Sequence, residues 1–106
     1  MARNNFVAEA STVDSAKNVT DAQKVVWDDT RMNTSYSNVC NVLGSREEIT
    51  LLFGVNQAWH SGQKEVKVLL SDRIVLNPYA AKRLRVLLER VLKEYEARYG
   101  ELKLEG

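Results

Sequence analysis

The sequence predicts an α+β fold: an antiparallel meander of about four strands followed by one long C-terminal helix packed on one face. Two observations predict this fold. Four short β-prone segments follow one another with short links, which favours antiparallel neighbours. A final segment then repeats apolar residues every three or four positions, which is typical of an amphipathic helix.

The C-terminal helix has the clearest signals. Asn77 is a good N-cap, Pro78 fits the first helical position, and Gly100 suits the residue that ends a helix. The apolar residues between these ends form one stripe: Ala80, Leu84, Leu87, Leu88, Val91, Leu92 and Tyr95. Two pairs of opposite charge have the i,i+4 spacing that supports a helix: Glu89–Lys93 and Arg90–Glu94.

Four segments before this helix are predicted as strands. The first two are residues 24–28 and 34–43, and the third is residues 47–53. The fourth runs over residues 64–70, meets a break or bulge at 71–72, and resumes over 73–76. Residues 44–46 are a short connection of the kind that joins antiparallel strands.

Residues 1–23 are predicted to be a flexible N-terminal arm, and residues 24–106 a single α+β domain. The arm is rich in Asn, Ser, Thr, Ala and Asp, with only scattered apolar residues. Such a segment buries too little apolar surface to offset its ordering entropy. The alternative is an arm that becomes ordered on a partner.

The predicted sheet is apolar on both faces, although one helix covers only one. Ile49, Leu51 and Phe53 share a face by alternation. The other face is expected to carry Val26, Leu52, Leu69 and either Cys40/Val42 or Val39/Leu43. We therefore predict a homodimer or higher oligomer, formed through the second face or through strand edges. The alternative is that the arm or the loop around Trp59 covers that face.

Composition excludes several classes of protein. With 44% apolar and 27% charged residues the chain resembles an ordinary soluble domain, and its 106 residues suffice for one domain. A net charge of +1 gives no global field for nucleic acid. No apolar run approaches the roughly 20 residues that span a bilayer, and residues 1–6 lack a signal-peptide core. With a single cysteine, no disulfide can form within the chain, and a cytoplasmic location is expected.

Catalytic and metal-binding chemistry has little support. The chain has one cysteine, Cys40, and one histidine, His60, whereas a structural zinc site usually needs four such ligands. Cys40 lies mid-strand and is expected to be a small buried hydrophobe; the alternative is a Cys40–His60 catalytic pair. No glycine-rich strand-to-helix turn is present. We therefore expect no catalytic residue, no metal and no cofactor.

Two groups of residues are candidates for binding. Lys82, Arg83 and Arg85 form a basic cluster at the start of the helix, where the helix dipole favours acidic residues. It is either a solvated face or a patch that contacts RNA, DNA or an acidic protein. Trp59 and His60 lie in a polar loop, where the indole is either a lid over the core or an exposed contact residue.

The sequence resembles a widespread prokaryotic family of short proteins catalogued as a domain of unknown function. The resemblance spans residues 27–100, and four motifs carry it: Tyr36-x-Asn38-x-Cys40-Asn41-Val42, Arg46-Glu47-Glu48, Asp72-Arg73-Ile74-Val75 and Pro78-Tyr79-Ala80-Ala81-Lys82-Arg83-Leu84. It implies no reaction and no ligand. A likeness of architecture alone, with no matching motif, is to the SecB export chaperone, which presents apolar grooves to unfolded chains.

The function predicted from these observations is a non-enzymatic, oligomeric protein-binding module, an adaptor or a chaperone-like protein. The alternative is a nucleic-acid-binding accessory protein that uses the basic start of the C-terminal helix.

Overall fold

The computed structural model describes residue 8 and residues 23–56 and 65–105. Its elements are β1 (Val39–Gly44), β2 (Ile49–Asn56), β3 (Val68–Leu76) and α1 (Pro78–Tyr99). The strands form one antiparallel sheet in the order β1-β2-β3. The predicted α+β class, an antiparallel meander followed by one C-terminal helix, is confirmed. The chain divides into two compact units, one of residues 28–81 and one of residues 1–27 with 82–106.

A fourth strand is not found among the described residues. Residues 24–28 form no strand, and Val26 and Trp27 are 76% and 63% exposed. A turn follows at once, because the carboxylate of Asp28 accepts hydrogen bonds from the N–H and the Oγ1 of Thr30, at 3.1 and 2.9 Å. The prediction of a strand there is wrong because this short segment has no partner strand in the described part of the chain.

β1 begins later along the chain than the sequence predicts. The segment before it is held to the end of β2 by side-chain hydrogen bonds and by one backbone bond, from the N–H of Asn38 to the carbonyl of Gly54 at 3.1 Å, and forms no strand ladder. Ser37 Oγ accepts the N–H of Gly54 at 3.1 Å and lies 2.7 Å from the carbonyl oxygen of Val39 and 2.9 Å from that of Gly54. Asn38 Oδ1 accepts the N–H of Asn56 at 2.9 Å. These bonds occupy the backbone groups that a longer β1 would need.

The predicted irregularity in the last strand is a β-bulge. Phe53 pairs with Asp72 and Gly54 pairs with Leu70, which leaves Ser71 as the extra residue of β3. Ser71 Oγ donates to the carbonyl of Phe53 at 3.3 Å. The bulge joins residues 68–70 and 73–76 into one continuous strand, and it shifts the alternation of side chains between them. Residues 65–67, predicted as part of this strand, form no strand.

Helix α1 begins and ends where the sequence predicts. Asn77 Oδ1 accepts the N–H of Ala80 at 2.7 Å, which is the bond of an N-cap side chain. At the other end, Gly100 has a φ of 102° and donates its N–H to the carbonyl of Glu96 at 2.9 Å. The helix has 22 residues, and none of them is fully buried.

The register places the side chains of the strands on two sheet faces. Face 1 contains Cys40, Val42, Ile49, Leu51, Phe53, Val55, Leu69, Asp72, Ile74 and Leu76. Face 2 contains Val39, Asn41, Leu43, Thr50, Leu52, Gly54, Val68, Leu70, Arg73 and Val75. Leu52 therefore shares its face with Val39 and Leu43. Leu69 lies on face 1, contrary to prediction, because the bulge at Ser71 reverses the alternation.

Candidate interaction surfaces

The predicted site residues fall partly within the described chain. Trp59 and His60 lie outside it, so the interpretation of that loop stays a prediction. Cys40, expected to be buried, is exposed on face 1. Within residues 23–56 and 65–105, no three His, Cys, Asp or Glu side chains are grouped closely enough to hold a metal ion. The arm, residues 1–23, is described only at residues 8 and 23.

Both faces of the sheet expose large apolar side chains. Six of them are 44–60% exposed: Val42, Leu43, Leu69, Leu70, Ile74 and Val75. Among the described residues no hydrophobic side chain is fully buried. Three strands of six to nine residues span roughly 300–400 Å² on each face, polar residues included, which is about the size of the largest apolar patch on a typical monomer, a patch that is often functional.

Face 2 has an open hollow of about 380 Å³. Its lining is mostly apolar and comes from all three strands. Val39, Asn41, Leu52, Val68 and Leu70 belong to face 2, and Cys40, whose side chain lies on face 1, also borders the hollow. Gly54 pairs with Val39 on one side and Leu70 on the other, and it is the one buried residue of the described chain. The bulge brings the backbone of β3 so close that a Cβ at position 54 would overlap the carbonyl oxygen of Leu69.

The two faces differ in the charged group that they carry. Face 1 carries Asp72, whose Oδ1 is shielded from solvent and accepts no hydrogen bond from any described residue. Face 2 carries Arg73, which is exposed. A long arginine side chain can lie along apolar surface and keep its charge in water, whereas a short carboxylate cannot. Covering face 1 with an apolar partner would therefore cost more than covering face 2.

The outer edge of β1 is blocked at its centre. The N–H of Ser45 donates to the carbonyl of Glu48 at 2.9 Å, so these two residues form a hydrogen-bonded pair. In an antiparallel ladder hydrogen-bonded and non-hydrogen-bonded pairs alternate, which makes Val42 a member of a non-hydrogen-bonded pair. The N–H of Val42 therefore points away from β2. This outward N–H donates instead to Oδ1 of Asn41, at 2.9 Å. An incoming strand would have to displace the Asn41 side chain.

The outer edge of β3 is protected in a different way. The bulge at Ser71 interrupts its regular ladder, and Arg73 places a charge next to the bulge. Bulges and charged side chains are the usual devices by which natural sheets prevent pairing between edges. Both edges of the described sheet therefore disfavour strand addition.

The basic residues predicted at the start of α1 do not act as one group. Lys82 and Arg83 are exposed, and neither makes an ion pair within the described part of the chain. Arg85 differs, because its Nε donates to Oε1 of Glu89 at 2.9 Å. The carboxylate of Glu89 thus lies next to the guanidinium of Arg85, in a pair that stays exposed to solvent.

Two further basic residues join Lys82 and Arg83. Arg90 and Lys93 are also exposed, and among the described residues they too have no ion-pair partner. At about 100° per residue these four side chains fall within an arc of roughly 100°. We call them the cationic stripe. Arg90 and Lys93 were missed by sequence reasoning, because it considered how charges cluster along the chain and not how they are distributed around the helix.

The glutamates of α1 are engaged elsewhere. Glu94 accepts from Nε of Arg98 at 3.1 Å, and Glu96 Oε2 accepts the N–H of Leu102 at 2.8 Å. The predicted pairs Glu89–Lys93 and Arg90–Glu94 do not form, because each glutamate pairs with the arginine on its other side. None of the helical residues described provides a membrane-spanning segment.

Comparison with known proteins completes the description. The model of a family described as a protein of unknown function, DUF3467, matches residues 8–104. The chain belongs to the DUF3467 family. The predicted resemblance to a family of unknown function is thereby confirmed, and the DUF3467 match extends it into the segment predicted as an arm. No curated protein and no solved structure matches the chain.

Proposed function

We propose that this DUF3467 protein is a non-enzymatic, cytoplasmic, oligomeric protein-binding module, an adaptor or a chaperone-like protein. The single observation that carries the proposal is the pair of apolar sheet faces, with six side chains 44–60% exposed and no fully buried hydrophobic side chain among the described residues. A chain that leaves this much apolar surface in water gains free energy when a protein surface covers it.

A second copy of the chain is the proposed occupant of face 2. The hollow gives this face a shape into which side chains of a partner copy can insert. Arg73, its charged group, can keep its guanidinium in water at the rim. Face 1 is the poorer surface, because burial there would leave Asp72 without a donor. The predicted packing of α1 on one sheet face remains part of this proposal.

Sedimentation velocity tests the oligomeric part over a wide range of concentrations. Ile74 and Val75 are adjacent in β3, equally exposed at 48% and 47%, and lie on opposite faces. We expect Val75→Thr to weaken association and Ile74→Thr to leave it unchanged, since threonine preserves β-branching on both faces. Val66→Thr, outside the strands, is the control. A wild-type protein that is monomeric throughout would contradict the proposal.

Aggregation of a heat-unfolded client protein tests the binding part. The wild-type protein is expected to suppress light scattering by the client in proportion to its concentration. If copies of the chain associate through face 2, Val75→Thr should alter both the oligomeric state and the suppression of client light scattering. Val66→Thr should alter neither. No suppression by the wild-type protein, together with no discrete partner recovered from lysate, would refute the binding role.

A further inference from the structure

We infer that the cationic stripe of α1, formed by Lys82, Arg83, Arg90 and Lys93, binds the phosphate backbone of a nucleic acid. This is a second activity, independent of the sheet faces. All four side chains are exposed, and none has an ion-pair partner among the described residues. The stripe extends over about 16 Å of the helix axis.

The pairing pattern of the helix isolates these positive charges. α1 has three glutamates, and each already accepts a hydrogen bond: from Arg85, from Arg98 and from the N–H of Leu102. None of the three bonds comes from a residue of the stripe. The positive charges of Lys82, Arg83, Arg90 and Lys93 are therefore available to an external anion.

The chemistry of the stripe favours phosphates over an acidic protein. The centres of protein–protein interfaces are depleted in lysine and contain a cluster of apolar or aromatic residues. Half of the stripe is lysine. Only two large apolar or aromatic side chains share its arc in residues 79–93, Tyr79 and Val86, which are 77% and 40% exposed and are too few to form such a cluster. Contact with a phosphate backbone requires cations and no such apolar centre.

A membrane surface would need a free apolar side of the helix. An interfacial helix buries its apolar side in the lipid and carries its basic residues on the polar face. In α1 the middle of the apolar side is already partly covered, because Leu84, Leu87 and Val91 are half-buried. That side is therefore not free to enter the lipid, whereas the stripe is exposed to a dissolved polyanion.

Fluorescence anisotropy with a labelled DNA duplex of arbitrary sequence tests the inference on the full-length protein. Four phosphate contacts predict a slope of about −3.6 for log K against log salt, which weakens binding about 150-fold between about 50 and 200 mM salt. Arg90→Gln is expected to weaken binding and to reduce the slope by about one. Arg85→Gln removes the same charge from the same helix but outside the stripe, so it should leave both quantities nearly unchanged.

Each alternative result overturns the inference. Equal losses for Arg85→Gln and Arg90→Gln would show an effect of net charge and no stripe. The absence of binding near 50 mM salt would exclude a nucleic-acid site. Tighter binding to poly-glutamate, or to vesicles containing an anionic lipid, would assign the stripe to an acidic protein or a membrane. Circular dichroism of the two variants confirms that α1 is retained, and neither Arg85 nor Arg90 is a member of the sheet faces of the proposed function.

Discussion

Replacing Gly54 with alanine tests how closely β2 and β3 approach at the bulge. A Cβ built at this position would overlap the carbonyl oxygen of Leu69, and it would lie 3.0 Å from the carbonyl carbon of Leu69 and 3.1 Å from Cα of Leu70. All three are backbone atoms, so no rotamer change can relieve the overlap. Overpacking of this kind typically costs about 1–3 kcal/mol.

Urea unfolding followed by circular dichroism measures this cost. In a thermal melt, each kcal/mol of unfolding free energy lost in Gly54→Ala would lower Tm by roughly 4–8 °C. All variants must be compared at one protein concentration, because association stabilises the folded chain. The lower free energy of unfolding should appear as a lower urea midpoint, with little change in the slope of the unfolding transition.

Gly44→Ala is the matched control in the same sheet. A Cβ at Gly44 would meet Cδ1 of Ile49 at 3.4 Å, which is close to an ordinary contact with the flexible end of a side chain. Neither Gly44 nor Gly54 has a positive φ. The control should be neutral or gain about 0.4–1 kcal/mol from the reduced entropy of the unfolded chain. If both variants unfold at the same urea concentration, the close approach at the bulge is refuted.

Three further predictions concern local structure. Asn77→Ala removes the acceptor for the N–H of Ala80 and should lower the free energy of unfolding by about 1 kcal/mol; an unchanged urea midpoint would contradict this. The N–H and then the hydroxyl of Thr30 lower the pKa of Asp28, so the turn is stabilised above the ordinary carboxyl pKa and loses that stabilisation as pH falls through the lowered value. NMR titration should find a lowered pKa for Asp28 in the wild-type protein. In Thr30→Ala, which keeps the backbone N–H, the pKa of Asp28 should rise part of the way back; an unchanged pKa would show that the hydroxyl does not lower it. Gly100→Ala places a Cβ at a φ of 102° and should cost about 1–2 kcal/mol in urea unfolding, and a neutral result would show that the helix end relaxes.

Local signals explain why helix α1 could be predicted closely and the strands less so. The cap at Asn77 and the stop at Gly100 act within one helical turn, so both ends follow from neighbouring residues. The start of β1 depends on Ser37 bonding to Gly54, which is 17 residues away. No pattern within residues 34–43 contains that information. The strand expected at 24–28 fails for the same reason, because a strand requires a distant partner.

The candidate surfaces show a similar division. Two apolar faces follow from alternation alone, but their membership depends on the bulge at Ser71, which places Leu69 on face 1. The basic start of α1 is visible in the sequence, whereas the choice of Glu89 to pair with Arg85 and not with Lys93 is decided by the structure. Arg85 and Lys93 lie four residues to either side of Glu89 and compete for its carboxylate, and their equal spacing does not decide which of them pairs.

The two proposed activities use different parts of the chain, because face 2 belongs to the sheet and the cationic stripe belongs to α1. In α1 the apolar residues and the cationic stripe are centred roughly 160° apart, so any partner that covers Leu88, Leu92 and Tyr95 leaves the stripe in water. Assembly through face 2 uses none of Lys82, Arg83, Arg90 or Lys93. Each added copy therefore adds one more stripe to the assembly, and linked sites bind a polyanion far more tightly than a single site does. Weaker association in Val75→Thr should then lower the affinity for a long duplex more than for a short one.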